Sequence, residues 1–206
     1  MAHSFPTRRS SDLAALIDHL KLADVRLVGQ SMGGWTMLEY ALAQPTRVKA
    51  LVLSSTSGTL DRRGCDPAGG ARYDAWLKDA EAKTKDGAER GIHPAMGATA
   101  AERDPARHLL YRAIDEMAGV LDKEKLRAGL RRTATRTLAD LEDFPIPTLL
   151  IAGSEDIVFP AFLAESIAAA MPRGEVRTIA SSGHSPYFEQ ASKFNELVSA
   201  FLARHG

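Results

Sequence analysis

Four short apolar runs constrain what this chain can fold into more than anything else in it. They are Val25–Val28, Val48–Leu53, Thr148–Ala152 and Val176–Ala180. None alternates polar with apolar residues along its whole length; the first two read as buried strands and the other two as strands, and their alternation with helices is that of a parallel sheet covered by helices. Helical patterns stand between and beside them. Leu13, Leu16, Ile17 and Leu20 share one helix face, with Ser10, Ser11 or Asp12 as candidate N-caps. Met32–Gln44 runs up to Pro45, and Ala161–Met171 ends before Pro172 and Gly174. From Ser192, apolar positions 194, 197, 198, 201 and 202 mark a closing amphipathic helix. The expected fold class is therefore α/β, a mostly parallel sheet of about four strands flanked by helices.

Residues 61–143 break this alternation. They contain two Gly-rich pieces, 64–70 and 91–97, and three helix-like stretches at Ala71–Ala82, Pro105–Met117 and Lys123–Arg136, with no strand pattern. This segment reads as an inserted helical subdomain between two parts of one core, 14–60 and 144–206. Tyr73, Trp76, Leu109, Leu110, Met117 and Leu121 are expected mostly to pack it onto that core, with a substrate pocket as the alternative role. The bases Lys123, Lys125, Arg127, Arg131, Arg132 and Arg136 are interleaved with Asp122 and Glu124 and read as a solvated helix face rather than a partner patch.

Charge and cysteine content narrow the function. Lys and Arg number 26 against 26 Asp and Glu. That balance provides no field for nucleic acid or an anionic membrane, so neither is expected as a partner. Cys65 is the only cysteine, which excludes an intrachain disulfide and cysteine-pair metal sites. No apolar run approaches a bilayer-spanning length, and Ala14–Leu20 is a poor signal-peptide core because it contains Asp18 and His19. A cytoplasmic location is the default expectation.

Three segments carry chemistry, each at the end of an expected strand. Gly29-Gln30-Ser31-Met32-Gly33 fits G-x-S-x-G between a buried strand and a helix. In so tight a turn, glycines at 29 and 33 are expected to relieve collisions two residues either side of Ser31. The turn lifts the hydroxyl clear and aims the Met32 N–H at a developing oxyanion. Asp156 follows the strand ending at Gly153 and faces the crevice where parallel sheets hold ligands. Glu155 beside it and Asp61 after the second strand are alternative acids. His184 lies between the last strand and the closing helix, suited to move a proton. The remaining histidines, His3, His19, His93, His108 and His205, read as solvated.

The segments GQSMGG (29–34), GSEDIVFP (153–160) and SGHSPYFEQ (182–190) resemble the α/β-hydrolase superfamily. The resemblance implies a partial α/β-hydrolase fold with residues 61–143 as its helical cap. By motif it implies Ser31 as nucleophile, His184 as general base and acid, Asp156 as its orienter and Met32 as an oxyanion donor. Gly29, Gln30 and Gly33 would form the elbow. No cofactor or metal is implied, and the substrate would be a small ester, lactone or activated carbon–carbon bond. Acyl transfer to another acceptor, perhydrolase or haloperoxidase-like chemistry, and a non-catalytic binding role are the alternatives. The family has further strands before its elbow strand and a loop there that supplies a second oxyanion donor. The chain is therefore expected to be an N-terminally truncated fragment, poorly soluble and weakly active, with Val25–Val28 as a sheet edge. Ser4–Leu13 resembles the conceptual translation of a sequencing-library adapter, so residues 1–13 are expected to be a non-native tail.

Overall fold

The computed structural model of the chain describes residues 8–117, 119 and 123–205. Its elements in order are α1 (Arg8–His19), β1 (Val25–Gln30), α2 (Met32–Ala43), β2 (Val48–Ser54), α3 (Ala71–Glu89), α4 (Ala98–Arg103), α5 (Pro105–Met117) and α6 (Lys123–Thr133). They continue with β3 (Thr148–Gly153), α7 (Ala161–Ala170), β4 (Gly174–Ile179), α8 (Pro186–Glu189) and α9 (Ala191–Arg204). All four strands of the described residues pair in parallel, in the order β1-β2-β3-β4. The fold is α/β, as the alternation of runs requires.

The pleat divides the core in two. Leu51, Leu53, Leu150 and Ala152 face Ile17 of α1, Leu38 of α2 and Phe162 and Leu163 of α7 in one cluster. Ala50, Val52, Leu149 and Ile151 face the other way, onto Phe194 and Phe201 of α9. The central strands β2 and β3 are thus covered on both sides, which is why they show no polar alternation. Strand β1 is an edge, and Val28 on it is 43% exposed.

Four helices, α3 to α6, connect β2 to β3, and a single bridge between Leu60 and Arg136 pairs the ends of this segment. Helix α3 runs to Glu89, beyond the expected end at Ala82. Tyr73 and Trp76 stack on each other, 5.8 Å between centroids, and pack on the main core. Leu109, Leu110 and Met117 do not: they are 66%, 54% and 86% exposed, because α5 turns another face inward. Leu121 lies outside the described residues. Arg136 departs from the expected solvated helix face, since α6 ends at Thr133. Its guanidinium meets the buried Glu39 carboxylate (Nη2–Oε2 3.0 Å, Nε–Oε1 3.1 Å) and Asp140, and Thr59 also donates to Glu39. The side chains at 123–127 lie outside the description.

At the N-terminus α1 begins at Arg8, so Ser10, Ser11 and Asp12 stand within the helix rather than at its N-cap. Ser10 is buried and Leu13 packs on the core. Residues 1–7 of the expected tail, His3 among them, lie outside the described residues. Among the described residues no helix is long and apolar enough to cross a membrane.

Candidate active site

Ser31 occupies the single residue between β1 and α2, with φ 49° and ψ −116°. A positive φ is costly for a residue with a Cβ, and such strain concentrates where a side chain is held in a set direction. The turn is pinned by Ser31 N–H to the Ser54 carbonyl (2.8 Å) and by Gly34 N–H to the Ser31 carbonyl (3.0 Å). As the first residue of α2, Met32 carries an amide with no acceptor inside the helix.

The steric basis of the elbow differs from the expectation at one position. A Cβ on Gly29 would lie 2.8 Å from the Gly34 backbone, as expected. A Cβ on Gly33 would meet nothing within 4 Å, whereas one on Gly34 would fall 2.2 Å from Thr56 Cγ2. The close approach comes from the loop after β2, which sequence spacing around Ser31 does not reveal. Gly29 and Gly34, rather than Gly29 and Gly33, are the pair with no room for a side chain.

His184 sits in the loop after β4 and is brought to Ser31 from 153 residues away: its Nε2 lies 2.8 Å from Ser31 Oγ. Its Nδ1 lies 2.9 Å from Asp156 Oδ2 and 3.1 Å from Oδ1. Both partners are buried, the Asp156 side chain completely. Asp156 Oδ1 also accepts the amides of Val158 (2.8 Å) and Phe159 (2.9 Å), so the carboxylate is fixed before it meets the ring. The alternative acids are engaged elsewhere: Glu155 Oε2 accepts the Thr99 amide, and Asp61 accepts the amides of Arg63 and Gly64.

Three further residues hold the histidine loop, and sequence reading singled out only one of them, in another role. Gln30 Nε2 donates to the His184 carbonyl at 2.6 Å, joining the elbow to the loop. Ser185 Oγ donates to the Tyr111 hydroxyl at 2.9 Å, bringing α5 to the site, and burial raises that phenol's pKa. Glu189 accepts amides on both sides of His184. Glu189 lies in the SGHSPYFEQ segment, but nothing in its spacing says that its carboxylate turns back into the loop.

The other histidines divide. His19 is exposed, as expected. His93 and His108 are not simply solvated. His93 Nε2 pairs with Asp115 (3.2 Å), its ring lies against Tyr111, and its backbone N–H donates to His108 Nε2. His205 is half-buried against the Phe201 ring. A cavity of about 340 Å³ opens between α3, α4 and the loop after β3, lined by Ile92, His93, Met96, Thr99, Glu155 and Ile157 among others. Neither Ser31 nor His184 lines it, so the hydrogen-bonded trio rather than this hollow locates the chemistry. Among the described residues, no group of three or more His, Cys, Asp or Glu side chains is placed to hold a metal ion.

Comparison with known proteins gives this geometry its context. The chain is 29% identical over 182 residues to the pimeloyl-[acyl-carrier protein] methyl ester esterase of Serratia marcescens, covering 86% of this chain and 70% of that one. It superposes on a thermophilic esterase from Thermogutta terrifontis with a TM-score of 0.70 at 25% identity, over 100% of this chain and 76% of that one. Est816, described as an N-acyl homoserine lactone degrading enzyme, matches with a TM-score of 0.69 at 27% identity, over 93% and 73% of the two chains. Two of these relatives are named as esterases and the third as degrading a lactone. Residues 2–197 match the alpha/beta hydrolase family, and the chain belongs to it.

Proposed function

We propose that this chain is a serine hydrolase of its family, forming an acyl-enzyme with an ester, a lactone or an activated carbon–carbon bond of a small molecule. The observation that carries the reading is the unbroken line from Ser31 Oγ through His184 to the buried Asp156. Ser31 Oγ attacks the carbonyl carbon while its proton passes to His184 Nε2. Asp156 keeps the ring proton on Nδ1, which leaves Nε2 free to accept, and stabilises the imidazolium that forms. The Met32 N–H, at the positive end of α2, donates to the oxyanion. Collapse breaks the bond to the leaving group, which takes the proton from Nε2. Water then repeats the sequence, losing its proton to Nε2, and the acid departs as Ser31 regains its hydrogen.

The helical segment 61–143 is proposed as a lid over this site. Its support is that Tyr111 on α5 reaches Ser185, and Gly97 and Thr99 at the start of α4 reach Glu189 and Glu155. Turnover of p-nitrophenyl esters tests the reading. Hydrolysis lost in Ser31→Ala but kept in Glu155→Gln upholds it. Equal hydrolysis by Ser31→Ala overturns it. Product analysis with hydroxylamine or hydrogen peroxide as competing acceptor separates hydrolysis from acyl transfer.

A further inference from the structure

Glu189 ends the four-residue α8 with a side chain folded into the protein, the residue being 3% exposed. Buried carboxylates are rare and cost free energy unless every lone pair is used. Here they are used on amides. Oε1 accepts from Gly183 and Ser185, both at 3.0 Å, and Oε2 accepts from Gly183 and Gly97, both at 2.8 Å. Gly183 and Ser185 flank His184, while Gly97 immediately precedes α4 in the inserted segment. The two loops are in contact along their backbones, since a Cβ on Gly183 would lie 2.3 Å from the Gly97 nitrogen. The backbone of Glu189 joins the same tie, its carbonyl accepting Arg107 Nη1 of α5 at 2.8 Å. Burial raises the carboxyl's pKa and the three amides oppose that rise.

Every hydrogen-bond partner of this side chain is a donor, so only a carboxylate satisfies them all. A glutamine would turn an NH₂ against one set of amides, leaving buried donors unpaired. The loop carrying His184 is not held by its own backbone alone. Instead one charge joins it to a segment 86 residues earlier in the chain, counting from Gly97 to Gly183.

We propose that Glu189 is a positioning residue that fixes the His184 imidazole and ties it to the start of α4, a role that rests on the serine-hydrolase reading. Anything that moves α4 then moves the proton-transfer group. The tie acts on how well the ring meets Ser31, not on how the substrate is held, so its loss falls on kcat.

The test compares the full chain with Glu189→Gln and Glu189→Asp by p-nitrophenyl butyrate kinetics and by hydrogen exchange of the Gly97, Gly183 and Ser185 amides. Misplacing a catalytic group by an ångström costs about 100-fold. Glu189→Gln should lose about 10- to 100-fold in kcat with KM within about threefold. All three amides should exchange faster together, and Glu189→Asp should recover part of both changes. Should Glu189→Gln fail to fold, the same two readouts on Glu189→Asp decide, with intermediate losses expected. A kcat within twofold, a loss carried by KM alone, or faster exchange at Gly183 and Ser185 with Gly97 unchanged overturns the proposal. If Ser31→Ala keeps its hydrolysis, the serine reading falls by itself, and joint exchange of the three amides still upholds or overturns the tie.

Discussion

Alanine at position 34 drives a methyl to 2.2 Å from Thr56 Cγ2, whereas alanine at position 33 meets nothing within 4 Å. Both positions lie in the first turn of α2, so both substitutions gain the same backbone term, up to about 0.5–1 kcal/mol in favour of the helix. The difference between them is therefore the overlap alone. Forcing an extra methyl into a packed site costs about 1–3 kcal/mol, and for a chain of this size each kcal/mol moves the midpoint by about 2–4 °C. Gly34→Ala should thus melt about 2–12 °C below Gly33→Ala, with Gly33→Ala at or slightly above the parent. The Gly34 amide also pins the Ser31 carbonyl at 3.0 Å, so relief by shifting α2 displaces Ser31 and the Met32 N–H together. Ester turnover should fall by about 100-fold in Gly34→Ala and stay within a few-fold in Gly33→Ala. Thr56→Ser supplies the control. It removes Cγ2 and keeps the oxygen that accepts the Gly58 amide at 3.0 Å, so the double variant should recover part of the loss, a coupling that a double-mutant cycle measures. Melting curves of the parent and the four variants are the assay. Coincident midpoints for Gly33→Ala and Gly34→Ala, or no coupling to Thr56, would refute the steric account of the elbow.

Two further outcomes follow from the geometry. Asp156→Asn should lower kcat by about 10⁴ with little loss of stability, because the amide oxygen can still take the Val158 and Phe159 N–H groups while the NH₂ faces His184 Nδ1 and leaves the proton on Nε2; a drop below tenfold in steady-state kinetics would contradict that role. Burial pushes the Cys65 thiol up to about 12. At pH 8 only about one molecule in ten thousand is thiolate, against about one in four for a free thiol, so a disulfide reagent should modify the folded chain roughly 2,000-fold more slowly than the unfolded one. The sign for stability follows. The unfolded chain loses this proton near its ordinary value and the folded chain does not, so Cys65 lowers stability as pH rises above about 9. Rapid labelling of the folded chain at pH 8 would count against the burial of Cys65.

Which parts of this arrangement the sequence discloses follows from the range of the interactions involved. The strands and the positions at their carboxyl ends were legible, because short β-branched runs and the βα alternation are local patterns, even though only β2 and β3 are buried on both faces. Ser31, Asp156 and His184 come together because each follows such a strand end. What was illegible depends on chain segments that meet only after folding. The room at Gly33 and its lack at Gly34 are set by Thr56, and the burial of Glu189 by Gly97. Leu109, Leu110 and Met117 look like core residues by type, yet α5 turns Tyr111 toward the site and leaves them outside. His93 and His108 looked solvated because their partners, Asp115 and each other, lie 15 to 22 residues apart.

The central claim is that Ser31 is a nucleophile activated by His184. Exposure to a fluorophosphonate probe followed by mass analysis of the peptide containing residue 31 tests it most directly. The account predicts one adduct, on Ser31, absent from Ser31→Ala and formed at least about 100-fold more slowly in His184→Ala. An unlabelled Ser31 in the folded chain, or labelling that proceeds as fast without His184, would contradict it.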